Sequence, residues 1–170
     1  MGESNWTLSE QGPFALTLEG FRTRAIQQQM AHAIEECLQK NGHLAIEAGT
    51  GTGKTLAYLI PALLSKRKTI ISTGTKNLQD QLFHRDLPLV LKTLDLPHHV
   101  ALLKGRANYL CLFRLEQSLS QGLLESRQLA SQLQHLKAWS KSTPSGDIAD
   151  GSGLNEDSPL IPMVTSSADN

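Results

Sequence analysis

The stretch IEAGTGTGKTLAYLIPAL, Ile46 to Leu63, decides the fold. It reads as the end of a buried strand, a glycine-rich turn and a helix, with a lysine and a hydroxyl at the bend. Ala48-Gly49-Thr50-Gly51-Thr52-Gly53-Lys54-Thr55 follows the phosphate-loop pattern with one departure, Ala48 in place of the first glycine. Glycines let backbone N–H groups close round a phosphate without a Cβ in the way, and the following helix aims its positive end at the anion. In such a loop Lys54 reaches the β- and γ-phosphates and the Thr55 hydroxyl is a Mg²⁺ ligand, so ATP and Mg²⁺ are the expected cofactors. The competing reading is a glycine turn with a chance lysine; the flanking strand and helix argue against it.

Working outward, Ile26, Met30, Ala33, Ile34, Cys37 and Leu38 fall at helical spacing, so Arg22 to Lys40 is expected as a helix stopped by Asn41-Gly42. His43 to Ala48 is a short apolar strand, and a helix runs from about Gly53 to Ser65 with Pro61 inside it. Lys68 to Thr73 and His99 to Leu103 read as two more strands, with a helix from Thr75 to about Phe83 between them. Asn108 to Trp139 is rich in Leu and Gln and mostly helical, whereas Gly, Ser, Asp and Pro from Ser140 onward are loop or disorder chemistry. Residues 1–20 read as a flexible, polar arm. Strands alternating with helices imply an α/β parallel sheet with flanking helices.

A chain of 170 residues can bury one real core. Sixteen basic and sixteen acidic residues cancel, so any polyanion contact must be local. No apolar run reaches the ~20 residues of a membrane span, the start has no signal pattern, and Trp6 spoils a myristoylation signal. Cys37 and Cys111 cannot make a disulfide framework. A cytoplasmic chain with no membrane partner is expected.

Hydrolysis needs a carboxylate at the end of another buried strand, and no candidate has that setting. Glu35-Glu36 lies on the first helix, Asp95 follows the broken run LVLKTL, and Glu156-Asp157 lies in the polar tail. His84-Arg85-Asp86-Leu87 imitates a kinase catalytic loop, but Leu91 stands where the metal-binding asparagine belongs, and we read it as a helix end before Pro88. The histidines His32, His43, His84, His98, His99 and His135 show no metal-ligand spacing.

Four motifs in order give the chain a resemblance: Phe21-Arg22-Thr23-Arg24 with Gln27 and Met30, then EAGTGTGKT, then IISTGTKNLQDQL, then ALLKGRANYLC. Together they resemble the DinG-like iron–sulfur DNA helicases of superfamily 2, from about Gly20 to the end. The resemblance implies a RecA-like sheet and ATP-driven 5′-to-3′ unwinding of DNA in repair or replication. It implies that Gln27 reads the adenine edge, with Phe21 and Arg24 beside it, as a carboxamide can. It makes Thr73, Thr75 and Lys76 contacts to single-stranded or forked DNA, with Lys104 and Arg106 weaker ones; Thr75 would in any case cap the helix after it. It makes Cys111 one of four thiolates on a [4Fe–4S] cluster. The remaining three are absent, since the 59 residues after Cys111 hold no cysteine, and Cys37 reads as a small core residue.

The implied organisation is an arm at 1–20, the first part of helicase motor domain 1 at 21–108, and the beginning of a helical cluster insertion at 109–170, truncated. On this reading the chain is a catalytically incomplete N-terminal piece that binds nucleotide weakly. Two other readings stay open: a non-catalytic interaction module using the helices near 112–139, and a small nucleotide kinase, which would need a basic lid that residues 140–170 do not offer.

Overall fold

A computed structural model describes residues 2–97, 99–121, 126–155 and 157–166. The expectations for His98, for Glu156 and for Ser167–Asn170 lie outside the described residues. The chain divides into two compact units, Met1–Leu102 and Leu103–Asn170.

The first unit is built on α3 (Ala25–Lys40) packed against α4 (Lys54–Leu64). Asn41 takes the left-handed conformation that ends α3, as the Asn-Gly pair anticipates. Ahead of them lie α1 (Glu3–Thr7) and α2 (Pro13–Thr17), so the arm expected to be flexible is folded. Leu8 and Phe14 are 0% exposed in the same core as Ala57, Leu59 and Ile60. Each large apolar side chain buried this way stabilises the unit by roughly 1.5–3 kcal/mol, which outweighs the polar composition of the segment. Glu35 of α3 accepts the Glu3 and Ser4 backbone N–H groups at 3.2 and 3.4 Å, tying α1 down. The arm is therefore part of the first unit's core.

After α4 come α5 (Lys76–Gln81), a π-helical turn Leu82–Asp86, and α6 (Leu87–Leu94). The helix end expected before Pro88 is instead a change of winding: the path passes through Pro88, which lies in the first turn of α6 where no N–H is needed. Asp86 is buried and accepts from Gln81 Nε2 at 3.0 Å and Arg85 Nε at 2.9 Å, a structural assignment for the kinase-like tetrapeptide.

The expected parallel sheet is not seen. Among the described residues the three strand segments contain no ladder, and the β-bridges are isolated ones in the second unit. A strand is stable only when a neighbour meets its N–H and C=O groups. Here Leu44, Ile46, Ile70 and Ile71 remain exposed, Ile70 at 91%. The apolar residues that suggested strands are present, but no paired neighbour covers them. Cys37, expected in the core, is only half-buried, with Met30, Ile34, Leu38, Leu44 and Ile46 along an apolar groove.

The second unit holds a 3₁₀ turn (Arg106–Asn108), α7 (Leu112–Gln121), α8 (Arg127–Trp139) and α9 (Ile161–Val164). Its core joins Leu115, Leu133 and Leu136 to Ile148, Leu160 and Val164. Among the described residues after Ser140 the chain is thus packed, irregular outside α9 and anchored by apolar residues spaced among the Gly and Ser.

Candidate functional site

The glycine turn sits at the start of α4, with Gly51 at φ +74° and Gly53 at φ +82°. Both angles lie where a Cβ is costly, so these two glycines are required by the loop's shape. At Gly53 a Cβ would also stand 2.2 Å from Gln27 Nε2. Lys54 Nζ donates to the Ala48 and Gly49 carbonyls at 2.8 and 2.7 Å, and the Thr52 hydroxyl donates to the Gly49 carbonyl at 3.0 Å. Thr50 is exposed at the tip of the loop. The Thr55 hydroxyl, in the first turn of α4, is hydrogen-bonded to Tyr58 three residues on. Burial pushes the Tyr58 phenol above its ordinary value, Asp86 adding to this while the Thr55 bond opposes it. Tyr58 therefore stays neutral beside the hydroxyl. Helical spacing from Thr55 would have pointed to it.

Of the residues expected at the base, Gln27 and Arg24 reach the loop. Gln27 is 4% exposed and its carboxamide donates to the Gly53 carbonyl at 2.9 Å. The Arg24 guanidinium donates to the Gly51 carbonyl. Phe21 packs on the core with its ring centroid 6.0 Å from that of Phe14.

Thr75 caps α5 by accepting the Leu78 N–H at 3.3 Å, while the Thr73 hydroxyl bonds the Thr75 carbonyl at 3.4 Å. Thr75 and Lys76 are exposed and Thr73 is partly so. Lys104 differs: its Nζ lies 2.8 Å from Asp147 Oδ2 with the two side chains only 6% and 5% exposed. That burial removes it from the candidate DNA contacts. Nothing in the spacing of residues 104 and 147 announces the pair.

In the second unit, 108–111 is gripped from two sides. Leu110 N–H donates to Gly146 O at 2.9 Å and Ile148 N–H to Asn108 O at 3.0 Å on one; Cys111 N–H donates to Val164 O at 2.7 Å on the other. Cys111 stands at the start of α7, its carbonyl accepting from the Leu115 N–H at 2.9 Å. Its thiol is held below the ordinary value chiefly by the Arg114 backbone N–H; burial opposes this, and the Ser166 hydroxyl, the Phe113 N–H and the Arg114 charge each add a lesser lowering. A thiol poised toward thiolate suits a metal–sulfur ligand. A [4Fe–4S] cluster needs four; among the described residues no group of three His, Cys, Asp or Glu could hold a metal, and the sequence has one other cysteine, Cys37, in the first unit. Cys111 fits one ligand position, and the described residues do not make a cluster site.

A glycine loop with two left-handed glycines, a lysine and a hydroxyl at a helix start defines the nucleotide-binding class of phosphate-loop proteins. The chain belongs to the DEAD/DEAH box helicase family, which residues 24–110 match. It is 52% identical over 158 residues to the ATP-dependent DNA helicase YoaA of Haemophilus influenzae, covering 93% of this chain and 25% of that protein. Identity to the YoaA of Escherichia coli is also 52%, over 159 residues, with 94% and 25% covered. The ATP-dependent helicase DinG of Mycobacterium tuberculosis is 39% identical over 154 residues, 78% of this chain and 23% of that protein. The chain thus spans about a quarter of the length of the curated relatives it matches. The resemblance to DinG-like helicases drawn from the four motifs holds. Among the described residues no helix is long and apolar enough to cross a membrane.

Proposed function

We propose that this chain supplies part of an ATP-dependent DNA helicase that works in the cytoplasm, in repair or replication, with 5′-to-3′ polarity. The observation that carries the reading is the loop from Ala48 to Thr55, with left-handed Gly51 and Gly53 opening directly into α4. The names of the YoaA and DinG relatives support the same assignment.

In this reading the backbone N–H groups of Gly49 to Lys54 surround the nucleotide phosphates. Lys54 leaves the Ala48 and Gly49 carbonyls for the β- and γ-oxygens, and Phe21, Arg24 and Gln27 border the base. The Thr55 hydroxyl fits a hard cation, being an oxygen on the first helical turn; Mg²⁺ there would neutralise phosphate charge. Thr73, Thr75 and Lys76 touch DNA phosphates, a type of contact that positions a strand without reading its sequence. Cys111 is one thiolate ligand of a [4Fe–4S] cluster, which when bound would tie the start of α7 to the segments carrying the other ligands.

His43–Ala48, Lys68–Thr73 and His99–Leu103 enter a RecA-like parallel sheet when neighbouring strands are present. Residues 21–108 belong to the first motor domain, and 109–170 begin the cluster insertion. Since no acidic pair ends a buried strand in this sequence, the 170-residue chain by itself binds adenine nucleotide without turning it over or unwinding DNA. The test is a titration with magnesium and a fluorescent adenine nucleotide, alongside phosphate release with and without DNA. Saturable binding without release is expected. A folded sample that gives no saturable signal removes the nucleotide site, and DNA-stimulated release abolished by Lys54→Ala removes the catalytic incompleteness.

A further inference from the structure

Two side chains reach the phosphate loop from α3 and its cap, and both end on carbonyl oxygens. Arg24 donates to the Gly51 carbonyl and Gln27 to the Gly53 carbonyl, the latter at 2.9 Å. Among the described residues no peptide bond is cis, so each peptide unit of the loop is planar with its N–H opposed to its C=O. A Gly51 carbonyl held toward Arg24 therefore points the Thr52 N–H the opposite way. A Gly53 carbonyl held toward Gln27 does the same for the Lys54 N–H. The glycines at these carbonyls have the left-handed φ values, and Gly53 also accepts the Ala57 N–H at 3.2 Å, so its plane is fixed twice.

We infer that Arg24 is a positioning residue for the phosphate loop, acting with Gln27 as a brace on alternate peptide units. Together they hold the Thr52 and Lys54 N–H groups on the phosphate side. This rests on the nucleotide reading above and deepens it: beyond its place bordering the base, Arg24 acts on the phosphates through the backbone. The cause is covalent: a glycine loop without a brace can turn its carbonyls inward, where they would repel an anion. Gln27 is buried and bears on folding, whereas Arg24 is exposed and can be changed with little cost to the core.

The two assignments separate by ligand. Inorganic tripolyphosphate has the anion and no base. Arg24→Ala in this chain should weaken Mg-ATP and tripolyphosphate binding by the same factor, about tenfold to a hundredfold for loss of a charged hydrogen bond. The competition assay against a fluorescent nucleotide reads both ligands on the same sample. A loss confined to ATP, with tripolyphosphate unchanged, makes Arg24 a base contact and overturns the brace, as does no loss for either ligand. If the unaltered chain binds neither ligand, the nucleotide site itself is wrong and the brace falls with it.

Discussion

The phosphate loop and the Cys111 segment are both short runs ending at a helix start, yet they are built in opposite ways. The loop's shape comes from residues within 32 positions of one another, Arg24 to Thr55, and its donors are its own backbone. Cys111 is set by residues far along the chain: Gly146, Val164 and Ser166 hold its segment. A site made of backbone N–H groups is complete once the local fold forms. A site made of thiolates waits for every ligand to arrive.

That contrast can be broken at its strongest point first. Asp147→Ala leaves the Lys104 ammonium buried without its carboxylate, which should cost the second unit about 3–5 kcal/mol. Urea unfolding followed by the fluorescence of Trp139, which packs on that core, reads the loss; a change below about 1 kcal/mol would show the pair to be dispensable. Next comes Lys54→Ala, which removes the loop's cation and should weaken adenine nucleotide binding about tenfold to a hundredfold. Because Lys54 Nζ contacts the Ala48 and Gly49 carbonyls at the surface of the loop, the unfolding midpoint should hardly move. The smallest effect is on Cys111. A folded-state thiol pKa below the free value means thiolate appears at lower pH, so in a Cys37→Ser background alkylation should reach half its maximal rate below the pH found for free cysteine. Ser166→Ala should move that midpoint upward, and an unchanged profile would dismiss the hydroxyl as a partner.

Much of the first unit was legible because its signals are local. Six apolar positions at helical spacing marked α3, Asn41-Gly42 marked its end, and the glycine pattern marked the loop and α4. The same locality misled where partners decide. Residues 1–20 look polar on average, but Leu8 and Phe14 are buried in the core of the first unit. The strand segments carry the right residues, and pairing is a property of neighbours that no single run records. Lys104 read as a surface cation since its sequence neighbours are Gly105 and Arg106; its partner stands at position 147. Gln27 was placed in the site on residue type; that its carboxamide also donates to a loop carbonyl is a contact that residue type does not announce.

Ile70 and Ile71, exposed on an extended run without ladder bonds among the described residues, set a clock as well as a fold problem. Their amide protons are open to water, whereas those of Leu59 and Ile60 are locked in α4 beneath the core. In deuterated buffer the 68–73 peptide should therefore take up label at close to the unstructured rate while the 57–62 peptide lags by orders of magnitude. Any molecule that lays a backbone alongside that run would slow the first peptide and leave the second untouched, so mass spectrometry can watch that run gain a partner.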